Sequence, residues 1–177
     1  SMNYFLTGGT GFIGRFLVEK LLARGGTVHV LVREQSQGKL DDLRERLGVD
    51  DSRIKAVVGD LTRNSLGIDS AAMEALEGKI DHFFHLAAVY DMGADEEAQA
   101  LTNIEGTRAA VQAAEAMGAK RFHHVSSIAA AGLFKGTFRE DMFEEAEKLD
   151  HPYLRTKHES EKVVREECKV PFRIYRP

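Results

Sequence analysis

Tyr153 and Lys157 stand four residues apart in a segment whose pattern predicts a helix, so their side chains share one helix face. A free tyrosine has a pKa of about 10 and is a weak acid–base catalyst at neutral pH. A neighbouring ammonium favours the phenolate and lowers that pKa. The pair could therefore exchange a proton with a carbonyl or alcohol oxygen, with Tyr153 as the acid or base.

Two further polar residues fit the same chemistry. Ser127 follows a predicted strand, where its hydroxyl could bond the substrate oxygen that Tyr153 protonates. Asn103 lies in the middle of a predicted helix, where asparagine has poor propensity, and a role in positioning Lys157 through water would account for it. The predicted catalytic set is Ser127, Tyr153, Lys157 and Asn103.

A glycine-rich turn lies near the start of the chain, after a predicted strand and before a predicted helix. In that context glycines let the backbone approach a pyrophosphate closely, and the helix offers free amides and a positive dipole end to the phosphates. We therefore predict a dinucleotide site. Its predicted residues in the turn are Gly8, Thr10, Gly11, Phe12, Ile13 and Gly14.

The end of the predicted second strand should meet the adenosine ribose, where an NAD site usually carries an acid. This chain has Arg33 there, and the planar guanidinium can pair with a 2′-phosphate, which favours NADPH. Glu34 could still reach a ribose hydroxyl. Lys39 and Arg44 follow on a predicted helix and are either solvated charges or partners of Arg33, and we count Arg44 among the cofactor-binding residues.

Three more residues at predicted strand ends are expected to contact the cofactor. Asp60 follows the third strand and could accept from the adenine amino group or serve as a turn residue, and Leu61 is beside it. Ala87 follows the fourth strand, where a small side chain lets the backbone pass close to the cofactor. Tyr153 and Lys157 complete the set, because Lys157 can also hold the nicotinamide ribose hydroxyls.

Strand and helix patterns alternate along the whole chain. The predicted strands cover residues 2–7, 27–32, 54–58, 82–86, 121–126 and 172–175, and the predicted helices cover 12–24, 38–47, 69–77, 95–117 and 152–168, with 128–150 irregular. This alternation predicts an α/β fold, a three-layer, doubly wound parallel sheet of the Rossmann type with about six strands in the order 3-2-1-4-5-6. We expect one domain over residues 1–177.

Composition excludes several classes of protein. The net charge of −4 argues against nucleic acid as the main partner, and the single cysteine, Cys168, fits a reducing compartment. No apolar run approaches the roughly 18–20 residues of a membrane span, and no signal peptide is visible. We therefore expect a cytoplasmic protein. The histidines at 82, 85, 123 and 124 lack metal-site spacing and are expected to be structural or surface residues.

These motifs together resemble the extended short-chain dehydrogenase/reductase family. The matching positions are the turn from Thr7 to Gly14, Asp60, Asn103, Ser127, Tyr153 and Lys157. Gly59-Asp60-Leu61 followed by Leu66-Gly67-Ile68 resembles the thioester-reductase branch, which includes fatty acyl-CoA reductases and the terminal reductase domains of peptide synthetases. Within that branch the chain is most similar to the N-terminal part of the bacterial alcohol-forming fatty acyl-CoA reductases, which act in wax-ester synthesis.

The resemblance implies a reaction and partners. Hydride from NADPH would attack an acyl-thioester carbonyl, the hemithioacetal would lose CoA to give an aldehyde, and a second hydride would give the alcohol. The implied substrates are fatty acyl-CoA or fatty aldehyde, and the family implies a second reductase domain and homo-oligomers. Because the family continues past Arg176-Pro177, we expect the native sequence to continue too and the C-terminal substrate region to be missing here.

Two alternatives remain open. One is a sugar-nucleotide epimerase or dehydratase of the same fold, which usually holds NAD, and Arg33 with the Leu66–Ile68 stretch speaks against it. The other is a non-catalytic NADP-sensing protein, which typically lacks the Tyr-x-x-x-Lys pair that this chain keeps.

Overall fold

A six-stranded parallel sheet forms the centre of the computed structural model, which describes residues 1–87, 96–126 and 152–175. The strands are β1 (Asn3–Thr7), β2 (Thr27–Val32), β3 (Ile54–Val58), β4 (His82–Ala87), β5 (Phe122–Ser126) and β6 (Phe172–Tyr175). The α-helices are α1 (Phe12–Ala23), α2 (Gly38–Leu47), α3 (Ser70–Leu76), α4 (Glu96–Ala116) and α5 (Pro152–Glu167). Two short 3₁₀ turns cover Glu34–Ser36 and Asn64–Gly67.

The strand order is β3-β2-β1-β4-β5-β6, which confirms the predicted doubly wound topology. Strand β1 lies in the middle, and its Leu6 pairs with Val30 of β2 on one side and Phe84 of β4 on the other. The connections run outward in opposite directions from β1, so a crevice opens at the carboxyl ends of β1 and β4, where ligands bind in sheets of this kind.

Helices cover both faces of the sheet, and each face has its own apolar layer. Phe5, Phe83 and Phe122 are fully buried neighbours on the face covered by α3, α4 and α5, with successive ring centroids 4.7 and 5.3 Å apart. On the other face, Leu6 and Val30 pack against residues of α1 and α2. Burial on both faces explains why the strands are almost continuously apolar.

The predicted elements agree with the observed ones to within one or two residues. Helices α1, α2 and α4 end next to Gly25, Gly48 and Gly118, each with a positive φ. The sequence did not predict the turn at Asn64–Gly67, where Ser65 and Leu66 adopt positive φ values of 51° and 63° without being glycine. The irregular stretch predicted at 128–150 lies outside the described residues.

Candidate functional site

The glycine turn between β1 and α1 is a tight backbone loop. Gly8 has φ +76°, and the Gly11 amide donates to its carbonyl oxygen at 3.3 Å. A Cβ added to Gly14 would lie 1.9 Å from that same oxygen, so helix and turn approach closely only because Gly14 has no side chain. The glycines at 8 and 14 are therefore required by the turn itself.

The same turn leaves the N-terminus of α1 accessible. Gly11 caps the helix without a side-chain hydrogen bond, and a Cβ added to it would contact only the Gly8 oxygen, at 3.6 Å. The first amides of a helix have no intrahelical acceptors, so the start of α1 beside this turn is suited to an anion. Phe12 is 63% exposed, with its ring edge-to-face against Phe16.

A cavity of about 330 Å³, here called cavity A, lies at the carboxyl ends of β1, β2 and β3. Its lining residues are Gly8, Thr10, Leu31, Val32, Arg33, Ser36, Lys39, Gly59, Asp60, Leu61 and Thr62. The structure thus brings together five of the residues predicted to bind the cofactor: Gly8, Thr10, Arg33, Asp60 and Leu61. Cavity A is therefore lined by residues of the glycine turn, by two cationic residues and by one carboxylate residue.

Cavity A carries two exposed cations, Arg33 and Lys39, with Ser36 between them in sequence. Glu34, the acid that could favour NAD, lines an adjoining hollow of about 180 Å³ rather than cavity A itself. Cations with a nearby hydroxyl suit a phosphate monoester better than a neutral ribose hydroxyl.

Asp60 sits in a fixed turn at the edge of cavity A. Its carboxylate accepts from the amide of Thr62 at 2.8 Å and from the Thr62 hydroxyl at 2.7 Å, and its own amide donates to the Leu66 carbonyl at 2.7 Å. The hydrogen bonds from Thr62, helped by the charges of Arg33 and Arg63, lower the pKa of Asp60. Asp60 is therefore a turn residue, as one of the two interpretations of the sequence expected, and its contact with the adenine amino group stays a prediction.

Arg44 does not join the other predicted residues. Its Nε donates to the Ile54 carbonyl at 2.9 Å and its Nη1 pairs with Asp41 at 3.0 Å, so the guanidinium ties α2 to β3. Among the described residues, Lys39 and not Arg44 is the helix cation that lines cavity A. The cofactor contact of Arg44 stays a prediction, although these contacts direct its side chain toward Ile54 and Asp41.

A second, small cavity of about 20 Å³, cavity B, lies at the ends of β4 and β5 beneath α4 and α5. It is lined by Ala87, Asn103, His124, Ser126, Thr156, Lys157 and Ser160. Ala87, predicted near the cofactor, thus lies beside the predicted catalytic residues Asn103 and Lys157. Lys157 is only 8% exposed, which is unusual for a lysine and typical of one held by its surroundings.

Two predicted catalytic residues cannot be placed in the same way. Ser127 lies outside the described residues, one position beyond the end of β5. Tyr153 belongs to α5 in the same helix as Lys157, but its side chain is also outside what the structure describes. Their roles remain predictions.

Sequence reasoning did not select several polar residues of these cavities, among them Ser36, Thr62, Thr156 and His124. Ser36 and Thr62 are small hydroxyl residues two or three positions from Arg33 and Asp60, so their nearness to strand ends was the available signal. His124 was expected to be a structural or surface residue. It is 3% exposed, and burial, reinforced by the charges of Arg165 and Lys157, lowers its pKa to about 4.

A metal-binding cluster and a membrane-spanning helix are both absent from the described ranges. Across residues 1–87, 96–126 and 152–175, no group of three or more His, Cys, Asp or Glu side chains is arranged to hold a metal ion. None of the helices described there is long and apolar enough to cross a membrane.

Comparisons with known proteins agree with this geometry. The family model described as "Male sterility protein", an NAD-binding family, matches residues 6–177. A "Putative dihydroflavonol 4-reductase" of Synechocystis is 35% identical over 89% of this chain and 43% of the relative, and a "Putative fatty acyl-CoA reductase" of Drosophila melanogaster is 30% identical over 99% and 42%. The chain thus spans less than half the length of these relatives.

Solved structures share the fold. The terminal R domain from the myxalamid PKS-NRPS biosynthetic pathway superposes with a TM-score of 0.68 at 22% identity, covering 98% of this chain and 47% of that domain. The family match, the glycine turn and the strand order lead to one conclusion. The chain belongs to the male sterility protein family, a thioester-reductase-like, NAD(P)-binding branch of the extended short-chain dehydrogenases/reductases.

Proposed function

We propose that this chain is the cofactor-binding domain of an NADPH-dependent reductase that converts a fatty acyl thioester, or the aldehyde derived from it, toward the fatty alcohol. The observation that carries the proposal is cavity A, in which the glycine turn and Asp60 share one space with the exposed cations Arg33 and Lys39. An NADP-type 2′-phosphate calls for cations at this strand end, whereas an NAD ribose calls for an acid.

The residues present fit such a dinucleotide. The backbone at Gly11 is open, and α1 begins at the next residue, so the positive end of the helix dipole would meet a pyrophosphate placed there. Arg33 and Lys39 would hold the 2′-phosphate, with Ser36 as a hydroxyl donor. Asp60 and Leu61 would border the adenine, and Ala87 would leave room for the backbone to pass the nicotinamide half.

Bound NADPH would supply the hydride, and the chain's own groups would supply the proton and the orientation. Tyr153 would donate its phenolic proton to the substrate oxygen, and the Lys157 ammonium would stabilise the phenolate that remains. Ser127 would donate a hydrogen bond to the same oxygen. This arrangement is supported by the placement of Lys157 and Asn103 around cavity B, at the carboxyl ends of β4 and β5.

The relatives support the substrate class, since one carries the name of a fatty acyl-CoA reductase at 30% identity. One hydride and one proton convert the thioester to a hemithioacetal, which releases the thiol and leaves an aldehyde. A second hydride and proton give the alcohol. We include in the proposal a second reductase domain, a cytoplasmic location, a role in wax-ester lipid metabolism and homo-oligomerisation in the full-length protein.

Calorimetric titration of this domain with NADPH and NADH tests the cofactor. We expect NADPH to bind more tightly, and Arg33→Ala to weaken NADPH binding by roughly tenfold or more while leaving NADH binding unchanged, because a charge-assisted contact is worth about 1.5–3 kcal/mol. Arg46→Ala, an exposed arginine of α2 that does not line cavity A, is the matched control. Equal or tighter binding of NADH would contradict the proposal and favour the epimerase or dehydratase class.

Turnover by the full-length protein tests the substrate. With NADPH present, we expect oxidation of the cofactor on adding fatty acyl-CoA or fatty aldehyde and none on adding nucleotide sugars, with the products identified by gas chromatography. Tyr153→Phe should abolish the reaction while NADPH still binds. Activity only with nucleotide sugars, or full activity of Tyr153→Phe, would refute the assignment.

A further inference from the structure

The imidazole of His124 has a buried nitrogen that the protein leaves without a partner. Among the described residues, His124 Nδ1 is the buried side-chain nitrogen that makes no hydrogen bond. Its neighbour on β5, His123, contrasts with it, since both ring nitrogens of His123 are within 2.9 Å of His82 or Tyr175. Leaving a buried polar atom unsatisfied is energetically costly, so a partner for Nδ1 is expected.

The space in front of His124 has the size and polarity of a site for one water. Cavity B has a volume of about 20 Å³, and about 10–15 Å³ suffices for a single water when several polar partners surround it. Besides His124, its lining residues include Lys157, Asn103, Thr156 and Ser160, all of which carry polar side chains.

The charge state of His124 determines how such a water is oriented. Burial first, and then the positive charges of Arg165 and Lys157, lower the His124 pKa to about 4, so the ring is neutral at physiological pH. A neutral imidazole has one N–H and one lone pair. A water that accepts from the Lys157 ammonium has its own protons left to donate, and the lone pair of Nδ1 is the complementary acceptor.

We propose that cavity B holds one ordered water that accepts from Lys157 Nζ and donates to His124 Nδ1, which makes His124 a positioning residue for Lys157. The inference rests on the proposed function for its catalytic meaning. Through this water, β5 would fix the direction of the ammonium that acts on Tyr153. His124 itself would touch neither substrate nor cofactor.

Other charged groups near this pair are spread over the elements that pack around it. Helix α5 contributes buried Glu161 and exposed Arg165, which are within 3.6 Å of each other, and β4 contributes His85, whose ring centroid is 5.8 Å from that of His124. Burial lowers the pKa of His85 to about 3, so it is neutral as well. Neither histidine is expected to change its charge between pH 6 and pH 9.

A high-resolution crystal structure of this protein gives the first test. We expect density for one water within hydrogen-bond distance of both His124 Nδ1 and Lys157 Nζ. Nitrogen NMR of the imidazole should show the Nε2–H tautomer at pH 7. A dry cavity, a direct Lys157–His124 hydrogen bond, or the Nδ1–H tautomer would overturn the inference, and none of these outcomes depends on activity.

Variants of the full-length enzyme give the second test. His124→Leu removes the acceptor at similar volume, and we expect the pH midpoint for alcohol oxidation with NADP⁺ to move upward by about one unit, since Lys157 then stabilises the phenolate less well. His124→Asn keeps an acceptor oxygen and should restore a midpoint near that of the wild type. His123→Leu, on the same strand but facing His82 and Tyr175, is the control and should not move the midpoint.

These outcomes separate the inference from the proposed function. If the water and the tautomer are found but the enzyme does not reduce acyl substrates, the proposed function fails and the water site stands. If reduction occurs but His124→Leu and wild type share one pH midpoint, the positioning role is refuted. Should His124→Leu not fold, the wild-type crystal structure and NMR spectrum still decide.

Discussion

Thr7 Oγ1 lies 2.7 Å from His85 Nδ1, and this contact belongs to a buried hydrogen-bond chain that joins three elements. The Leu86 amide donates to Thr7 Oγ1, and the Thr107 hydroxyl donates to the Asn103 carbonyl at 3.1 Å. Since the Thr107 proton is used there, its oxygen must accept from His85 Nε2–H, 3.1 Å away, and His85 Nδ1 must accept from Thr7. The chain connects the residue before Gly8 to the helix that carries Asn103.

Removing one hydroxyl from this series of hydrogen bonds should destabilise the protein measurably. Thr107→Val keeps the shape of the side chain but leaves His85 Nε2–H buried without an acceptor, so we expect a loss of about 1–3 kcal/mol in the free energy of unfolding. Urea denaturation measures it. Thr102→Val is the matched control, because Thr102 makes the same bond to the carbonyl four residues earlier in α4 but is exposed. Equal losses in both variants would contradict the assigned chain.

A methyl group added at Gly14 should lower stability, whereas one added at Gly11 should leave the fold intact and weaken NADPH binding. Gly14→Ala places Cβ 1.9 Å from the Gly8 oxygen, and overpacking of this kind costs about 1–3 kcal/mol or more. Gly11→Ala meets only that oxygen at 3.6 Å, and with φ −74° it should fold normally. Thermal unfolding should therefore separate the two variants, whereas NADPH titration of the folded Gly11→Ala protein should show weakened binding. A stable Gly14→Ala protein would mean that the turn differs from the one described.

Substitutions of Lys39 and Arg44 should have different effects on cofactor binding. Both residues lie on α2, but of the two only Lys39 lines cavity A. We expect Lys39→Ala to weaken NADPH binding about three- to tenfold without affecting NADH binding. Arg44→Ala should leave the NADPH to NADH preference unchanged and lower stability by about 1 kcal/mol, because the Ile54 carbonyl loses its donor. If Arg44→Ala loses the preference for NADPH and Lys39→Ala keeps it, Arg44 contacts the cofactor, as the sequence analysis predicted.

The sequence was sufficient to predict the sheet and to select several residues that line cavity A, because strand–helix alternation and a glycine turn after a strand leave few arrangements open. The sequence was insufficient to predict which helix side chains reach cavity A. Choosing between Lys39 and Arg44 requires the rotation of α2 about its axis, which the Arg44–Ile54 contact fixes and the spacing does not.

Backbone conformation set a second limit. Leu66 adopts φ 63° and is fully buried, which no propensity predicts, and its carbonyl holds the amide of Asp60. The sequence likewise could not predict that His124 Nδ1 has no hydrogen-bond partner. The amino-acid pattern of an apolar strand that contains histidine is the same whether or not the imidazole is hydrogen-bonded.

Buried histidines should make the stability of this protein depend on pH. Burial is the main cause that lowers the folded-state pKa of His29, His123 and His124 to about 4 and that of His85 to about 3, from 6.5. The unfolded chain therefore binds protons first as the pH falls, so the contribution of these residues is complete above pH 6.5 and is lost as the pH falls toward 4. Each can add a slope of up to about 1.4 kcal/mol per pH unit.

Urea denaturation between pH 5 and 7.5 measures that slope in a window above the titration of Asp60, whose pKa is lowered. His29→Gln should flatten the slope by about one histidine's contribution, since glutamine can still bond Asn3 Oδ1, which lies 3.1 Å from His29 Nε2. Gln35→Ala, at an exposed position without a titratable group, should leave it unchanged. Stability that is constant over this range, or that rises as the pH falls, would mean that the buried rings already carry protons in the folded state.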